Sequence, residues 1–329
     1  MDLPIIDMAL YRSADASTRS AIAAEVDAAC QTTGFIVLTG HGISEAALAK
    51  IHAAADAFFA LPADVKNKYE KAEGSFYGYY QMESSALAYT LDEESAPDLR
   101  EAFASNRPDI ATGDPYFRSA AVEGLGYDIA YPQEIAGFHQ IWTDTYYSFA
   151  ALGHEIMQLF AAALKQPKDQ FDAILERHAS NLAVFKYPPL AKTPKDKQLR
   201  CGAHTDYGSL TIVHSDWSIP GGLQIQTKEG SWVDVPNVPG SVIINIGDMM
   251  QRWTNDRWTS TMHRVGNPEA QRNGSSERMS LVFFYNPDQD GIVETIPSCI
   301  DADNPAQYEP VTVSDHFLTK MGKMVEEQA

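Results

Sequence analysis

The feature that most limits what this chain can fold into is a change of rhythm near residue 178. Before it, apolar residues recur at helical spacing. After it, they come in short extended runs cut by Gly and Pro. Segments 182–187, 211–214, 222–226, 232–235, 241–246 and 279–285 each read as a strand. Many short strands with turn residues between them indicate a jelly roll, a double-sheet fold that encloses a cavity.

The first half is read as support for that core. Residues 17–30 form an amphipathic helix with Ile22, Val26 and Ala29 on one face, and 35–38 form an apolar strand running into a Gly40-His41-Gly42 turn. Residues 44–60 form a second helix with Ser44 as N-cap. The longest helical pattern runs from 134 to 164, through Phe138, Tyr146, Phe149, Leu152, Ile156 and Phe160. The fold class expected is mainly β with flanking α: a double-stranded β-helix core, N-terminal helical support and a long helix packed outside. One domain over 1–329 is expected, with a supporting region 1–180, a jelly-roll core 181–290 and a C-terminal extension 291–329. That extension holds an amphipathic helix over 313–327, with Phe317, Leu318, Met321 and Met324 on one side. It either caps the pocket or mediates self-association.

Composition narrows the partners. A net charge of −19 argues against nucleic acid or an anionic membrane surface. The three cysteines, Cys30, Cys201 and Cys299, are odd in number and far apart, which favours a reduced, cytoplasmic setting. The N-terminus lacks a basic segment followed by a long apolar run, so neither a signal peptide nor a membrane span is expected.

The chemistry centres on Gly202-Ala203-His204-Thr205-Asp206. Residues two apart at the end of a strand present their side chains on one face, so an imidazole and a carboxylate converge. A further histidine from a distant strand would complete three ligands on one side of an octahedron, leaving the other side open, as in non-haem Fe(II) oxygenases. His263 is the best candidate. His139 and His154, fifteen residues apart on one helix, are separated by roughly 22 Å of rise and cannot share a metal. His41, between two glycines, reads as structural. Arg278 and Ser280 also share a strand face, and a guanidinium beside a hydroxyl makes a two-point clamp for a carboxylate.

The segments His204-Thr205-Asp206, Asn245-Ile246-Gly247-Asp248, Ser260-Thr261-Met262-His263-Arg264-Val265 and Arg278-Met279-Ser280 occur in that order. Together they closely resemble the isopenicillin N synthase-like branch of the 2-oxoglutarate/Fe(II)-dependent dioxygenases. Pro4-Ile5-Ile6-Asp7, the Gly34–Ile43 stretch, Phe76-Tyr77-Gly78-Tyr79, Asp98-Leu99-Arg100-Glu101 and Tyr187-Pro188-Pro189 extend the resemblance over most of the chain. It implies Fe(II) on His204, Asp206 and His263, and 2-oxoglutarate held by Arg278, Ser280 and Tyr187. Dioxygen is then the second co-substrate. The implied reaction decarboxylates 2-oxoglutarate to succinate while a small organic molecule, of the sort found in secondary metabolism, is hydroxylated, desaturated or cyclised. Asp248 and Arg264 are read as turn and supporting residues. Where many relatives carry Asn-Tyr-Tyr-Pro, this chain has Phe185-Lys186-Tyr187-Pro188, which reshapes the co-substrate pocket.

Tyr77, Tyr80, Phe103, Phe185 and Phe283 are the expected substrate contacts, implying an apolar or ring-bearing molecule, although the same aromatics could be core. Two rivals keep the fold: an oxidase like isopenicillin N synthase, in which the clamp takes the substrate's own carboxylate, and a non-catalytic jelly-roll binding protein. Zinc hydrolysis is the chemical rival for the same three ligands.

Overall fold

A computed structural model describes residues 3–72, 75–84, 96–110, 114–117, 129–190, 193–215, 222–268 and 276–326. Its strands are β1 (Ile5–Asp7), β2 (Phe35–Thr39), β3 (Gly78–Tyr80), β4 (Glu101–Ser105), β5 (Asn181–Tyr187), β6 (Cys201–His204), β7 (Leu210–Ser215), β8 (Leu223–Gln226), β9 (Trp232–Asp234), β10 (Val242–Ile246), β11 (His263–Val265), β12 (Arg278–Tyr285), β13 (Ile292–Val293) and β14 (Val311–Thr312). The α-helices are α1 (Met8–Ser13), α2 (Ala16–Thr32), α3 (Glu45–Phe59), α4 (Ala63–Lys66), α5 (Phe138–Ala163), α6 (Asp248–Trp253) and α7 (Val313–Glu326). The acidic stretch that precedes β4 falls largely on 85–95, outside the described residues, as do the side chains of Met321 and Met324.

An eight-stranded sheet in the order β1-β2-β10-β7-β12-β5-β4-β3 faces a four-stranded sheet in the order β6-β11-β8-β9. The first half of the chain therefore supplies four strands to the large sheet as well as helices. β2 is the apolar strand read at 35–38, whereas β1 and β3 escape a periodicity reading because they span three residues each and pair with β2 and β4 at the edges of the sheet. Helix starts follow local chemistry. The Asp15 side chain accepts from Thr18 N at 2.8 Å to cap α2, and Ser44 Oγ accepts from Ala47 N at 3.2 Å to cap α3. The longest helix begins at Phe138, four residues later than its apolar pattern, because Gly137 sits at φ 74° in the left-handed region.

Register explains why the central strands read as unbroken apolar runs. Residues paired across a sheet share a face, and this sheet is covered on both. Ile36, Ile244, Ile212, Phe283 and Leu182 form one row across β2, β10, β7, β12 and β5. That row is buried under the helices, where Phe283 meets Tyr146 of α5 edge-on at 5.1 Å. The opposite face lines the barrel. One end of the barrel is apolar, with Phe35, Val37, Ile225, Val235 and Ile243. The other holds Tyr187, Cys201 and Val265.

His178 joins the helix side, stacked parallel to Tyr146 with its Nδ1 2.9 Å from Ser180 Oγ. Burial pushes its pKa down to about 4. An unfolded histidine titrates near 6.5, so the native state binds fewer protons between those values. Stability is therefore full above about pH 6.5 and declines as pH falls towards 4, by a contribution on the order of 3 kcal/mol. Urea denaturation at pH 7 and pH 5 should show a smaller acid-induced loss in His178→Gln than in the parent chain.

Candidate metal and co-substrate site

β6 ends at His204, and the chain turns so that Asp206 follows beside it. β11 pairs antiparallel with β6, setting His263 directly across from His204. The His204 and His263 rings lie 4.3 Å apart by centroid. Each Nε2 lies 3.7 Å from Asp206 Oδ1, and one ligand atom from each of the three residues lies within 4.8 Å of the others. Among the described residues this is the one group of three or more His, Cys, Asp or Glu side chains with that spacing.

The surroundings fix the orientation of each group. His204 Nδ1 lies 2.8 Å from Gly202 O and His263 Nδ1 lies 3.1 Å from Thr261 O. A carbonyl only accepts, so each Nδ1 carries the proton and each Nε2 keeps its lone pair. Burial, then the neighbouring His204, push the His263 pKa down, which favours the neutral ring. Asp206 Oδ2 accepts from Thr211 Oγ1 at 2.5 Å and Asn245 Nδ2 at 2.6 Å, while Oδ1 faces the imidazoles. Burial alone would raise its carboxyl; the two histidines and these hydrogen bonds offset that and leave it lowered. Two neutral imidazoles and one carboxylate are the donor set that Fe(II) accepts, so the residues fit the metal.

Sequence reasoning missed Thr211 and Asn245 as partners of Asp206. A signal was present for Asn245, the one hydrogen-bonding side chain in the otherwise apolar strand β10, because a buried polar group needs a partner. The supporting role read for Asp248 has a counterpart in its contacts. Its N–H donates to Asp206 O at 2.8 Å, its carboxylate accepts from Thr205 Oγ1 at 3.2 Å, and Lys320 of α7 pairs with it at 2.5 Å. His316 Nε2 lies 3.0 Å from Tyr207 O, so α7 docks on the loop that carries Asp206.

Arg278 is 5% exposed and pairs in register with Tyr187. Its Nη2 donates to Ser215 Oγ at 2.8 Å, and Ser215 Oγ lies 3.1 Å from Ser280 Oγ. Its Cζ lies 5.9 Å from the Tyr187 ring centroid. The clamp residues are thus together, extended by a second hydroxyl from β7. A cleft of about 790 Å³ reaches Ser215 and Arg278 from the side of α3, and none of His204, Asp206 and His263 lines it. Gly222 makes room for the guanidinium. It sits at φ +106°, and a Cβ there would stand 2.6 Å from Arg278 Nη1. Gly222→Ala is expected to weaken 2-oxoglutarate binding several-fold while leaving iron binding intact, as parallel titrations of the two would show.

Tyr80, Ala102, Phe185, Ser280 and Ser215 form one row across the barrel face. Tyr80 and Phe185 therefore share the clamp's face, and the Arg100 guanidinium covers the Phe185 ring at 4.4 Å. Burial pushes the Tyr80 phenol up to about 12. Tyr77 is half-buried next to this row, its N–H donating to Ser75 Oγ at 3.1 Å. Phe103 and Phe283 must be corrected. Phe103 pairs with Val184 and packs on Phe58, Phe138 and Trp142, and Phe283 packs on α5, so both belong to the helix-side core. His41 is structural, its Nδ1 accepting from Ile43 N at 3.1 Å.

Comparison with known proteins bears on the family and the fold. Residues 178–287 match the model of the 2OG-Fe(II) oxygenase superfamily, and residues 3–121 match that of the N-terminal region of non-haem dioxygenases in morphine synthesis. The chain is 33% identical to the 2-oxoglutarate-dependent dioxygenase citB of Monascus ruber, over 97% of this chain and 94% of that protein. It is 28% identical to the validamycin A dioxygenase of Streptomyces hygroscopicus subsp. limoneus, over 98% and 87%. Its fold matches the crystal structure of a full-length Neurospora crassa protein in complex with alpha-KG and thymine, with a TM-score of 0.82 and 25% identity, covering 98% of this chain and 97% of that one.

Proposed function

This chain belongs to the 2-oxoglutarate/Fe(II) oxygenase superfamily, and from that premise we propose that it oxidises a small, ring-bearing organic molecule. In this reading His204, Asp206 and His263 hold the iron, and Arg278, Ser280 and Tyr187 hold 2-oxoglutarate. The chain is an Fe(II)- and 2-oxoglutarate-dependent oxygenase, an oxidoreductase that uses dioxygen. Bound iron, dioxygen and 2-oxoglutarate supply the oxidising chemistry, with succinate and CO2 as by-products.

The protein's own work is placement and exclusion of water. Gly202 O and Thr261 O hold the two imidazoles in the tautomer that offers Nε2. Thr211 and Asn245 take one carboxylate oxygen of Asp206 and leave the other for the metal. Arg278, with Ser280 and Ser215 beside it, gives a carboxylate a charged partner and two hydroxyls in a buried place, where such contacts are strongest.

The observation that carries the substrate reading is the row Tyr80–Ala102–Phe185–Ser280. It runs from the clamp across the barrel face and offers aromatic surface with a small side chain between. The likeness to a protein crystallised with thymine and to a validamycin A dioxygenase supports a small cyclic substrate. Among the described residues no single helix is long and apolar enough to cross a membrane; the cytoplasmic location we propose rests on the three buried, unpaired cysteines, which suit a reducing setting.

The test is anaerobic. Adding 2-oxoglutarate to the Fe(II) protein should produce a visible metal-to-ligand charge-transfer band, and no band with iron bound would sink the assignment of the clamp. Cyclic molecules should then accelerate succinate formation in air. Acceleration by open-chain molecules alone would sink the substrate reading.

A further inference from the structure

Three arginines lie near Tyr187. Arg100 has its counter-charge, Asp98 at 3.3 Å, and also meets Cys201 Sγ at 3.5 Å. Arg278 is the clamp. Arg200 belongs to neither arrangement. It stands just before β6, is 3% exposed, and its Cζ lies 6.0 Å from the Tyr187 ring centroid, close to the 5.9 Å of Arg278. Its Nη2 donates to Pro188 O at 3.2 Å and to Ser276 O at 2.5 Å, the chain just after Tyr187 and just before Arg278. Its Nε is buried and has no hydrogen-bond partner among the described residues. Among the described residues no carboxylate pairs with it. Burial, then the like charge of Arg278, push its pKa down.

A buried cation without a counter-ion is costly, and a neighbouring cation makes it more so. If Arg200 served only to tie the ends of β5 and β12 together, a neutral donor would do the same with no charge to bury. We propose that Arg200 is a second cation of the co-substrate pocket, acting with Arg278 on the distal carboxylate of 2-oxoglutarate. This rests on the reading of Arg278 and Ser280 as the clamp. The dianion relieves the repulsion between the two guanidiniums, so Arg200 favours a dicarboxylate and is a specificity-determining residue for the co-substrate.

The experiment titrates 2-oxoglutarate into the anaerobic Fe(II) protein, following the charge-transfer band, for the parent chain, Arg200→Gln and Arg200→Lys. Arg200→Gln should raise the Kd about tenfold or more, as expected for a contact to a charged group. Arg200→Lys should lose less, and iron stoichiometry should not change. A Kd in Arg200→Gln within twofold of the parent overturns the proposal, and assigns the charge to a carboxylate of the oxidised substrate or to no ligand. Equal losses in both variants overturn it too, because the backbone contacts rather than the charge would then matter. No band in the parent chain would instead defeat the underlying clamp assignment. A crystal structure of the parent chain with Mn(II) and 2-oxoglutarate reads the same point without a variant. Arg200 should lie within about 5 Å of the distal carboxylate, close enough for direct or single-water contact, and a separation beyond about 8 Å would overturn the proposal.

Discussion

Asp206→Ala is expected to leave a folded protein that no longer retains iron and no longer turns over. Asp206 is the only charged member of the triad, and both imidazole Nε2 atoms stand 3.7 Å from its Oδ1. Without it, two neutral rings face a divalent cation with no anionic ligand. Metal-derived stabilisation amounts to several kcal/mol, and every 1.4 kcal/mol is tenfold, so turnover should fall by roughly a thousandfold or more. Iron analysis after anaerobic reconstitution and desalting reads the first effect, and succinate formation the second. His139→Ala is the control. That side chain lies on the exposed face of α5, with its Nε2 3.3 Å from Pro108 O, so iron content and turnover should match the parent. Iron retained in Asp206→Ala with turnover intact would remove Asp206 from the chemistry altogether.

Asn245→Leu would act through the same carboxylate, since Asn245 donates to its outer oxygen, and it shows how far the sequence could be read. The spacing of His204 and Asp206 was legible because two residues at a strand end share a face. That Asn245 and Thr211 answer the same carboxylate depends on β10 and β7 pairing with Asn245 opposite Thr211. No local pattern encodes that long-range register. The same gap explains Phe103 and Phe283. Each sits in a strand whose two faces are both buried, so alternation gives no polar side to mark the exterior, and shifting by one residue exchanges barrel for helix packing. Phe185 faces the barrel because it pairs with Ser280, and Phe283 faces α5 because it stands three residues further along β12. The long helices α2, α3, α5 and α7 were legible from their period, while the short helices α1, α4 and α6 were not. The strand β1 was legible only through the resemblance carried by Pro4-Ile5-Ile6-Asp7, and β3 not as a strand, because three residues carry too few alternations to register as a pattern.

Arg278→Gln is expected to separate the two halves of the site. The guanidinium is 5% exposed and bonded to Ser215, and on the proposed reading it makes charge-assisted hydrogen bonds to the distal carboxylate of 2-oxoglutarate. Contacts of that kind contribute about 1.5 to 3 kcal/mol, so the Kd for 2-oxoglutarate should rise by between about tenfold and a hundredfold. Iron affinity should not change, because none of the hydrogen bonds that orient His204, Asp206 and His263 involves Arg278. Arg278→Lys keeps the charge but not the planar fork, so its loss should fall between the parent and Arg278→Gln. Ligand-linked stability reads the same contact. The parent should be stabilised by saturating 2-oxoglutarate in the presence of inert Mn(II), and the variant much less, because a ligand stabilises only in proportion to its affinity for the folded state. Weakened binding together with a destabilised ligand-free protein would instead make Arg278 a scaffold residue, with its effect on 2-oxoglutarate secondary to a disturbed β12.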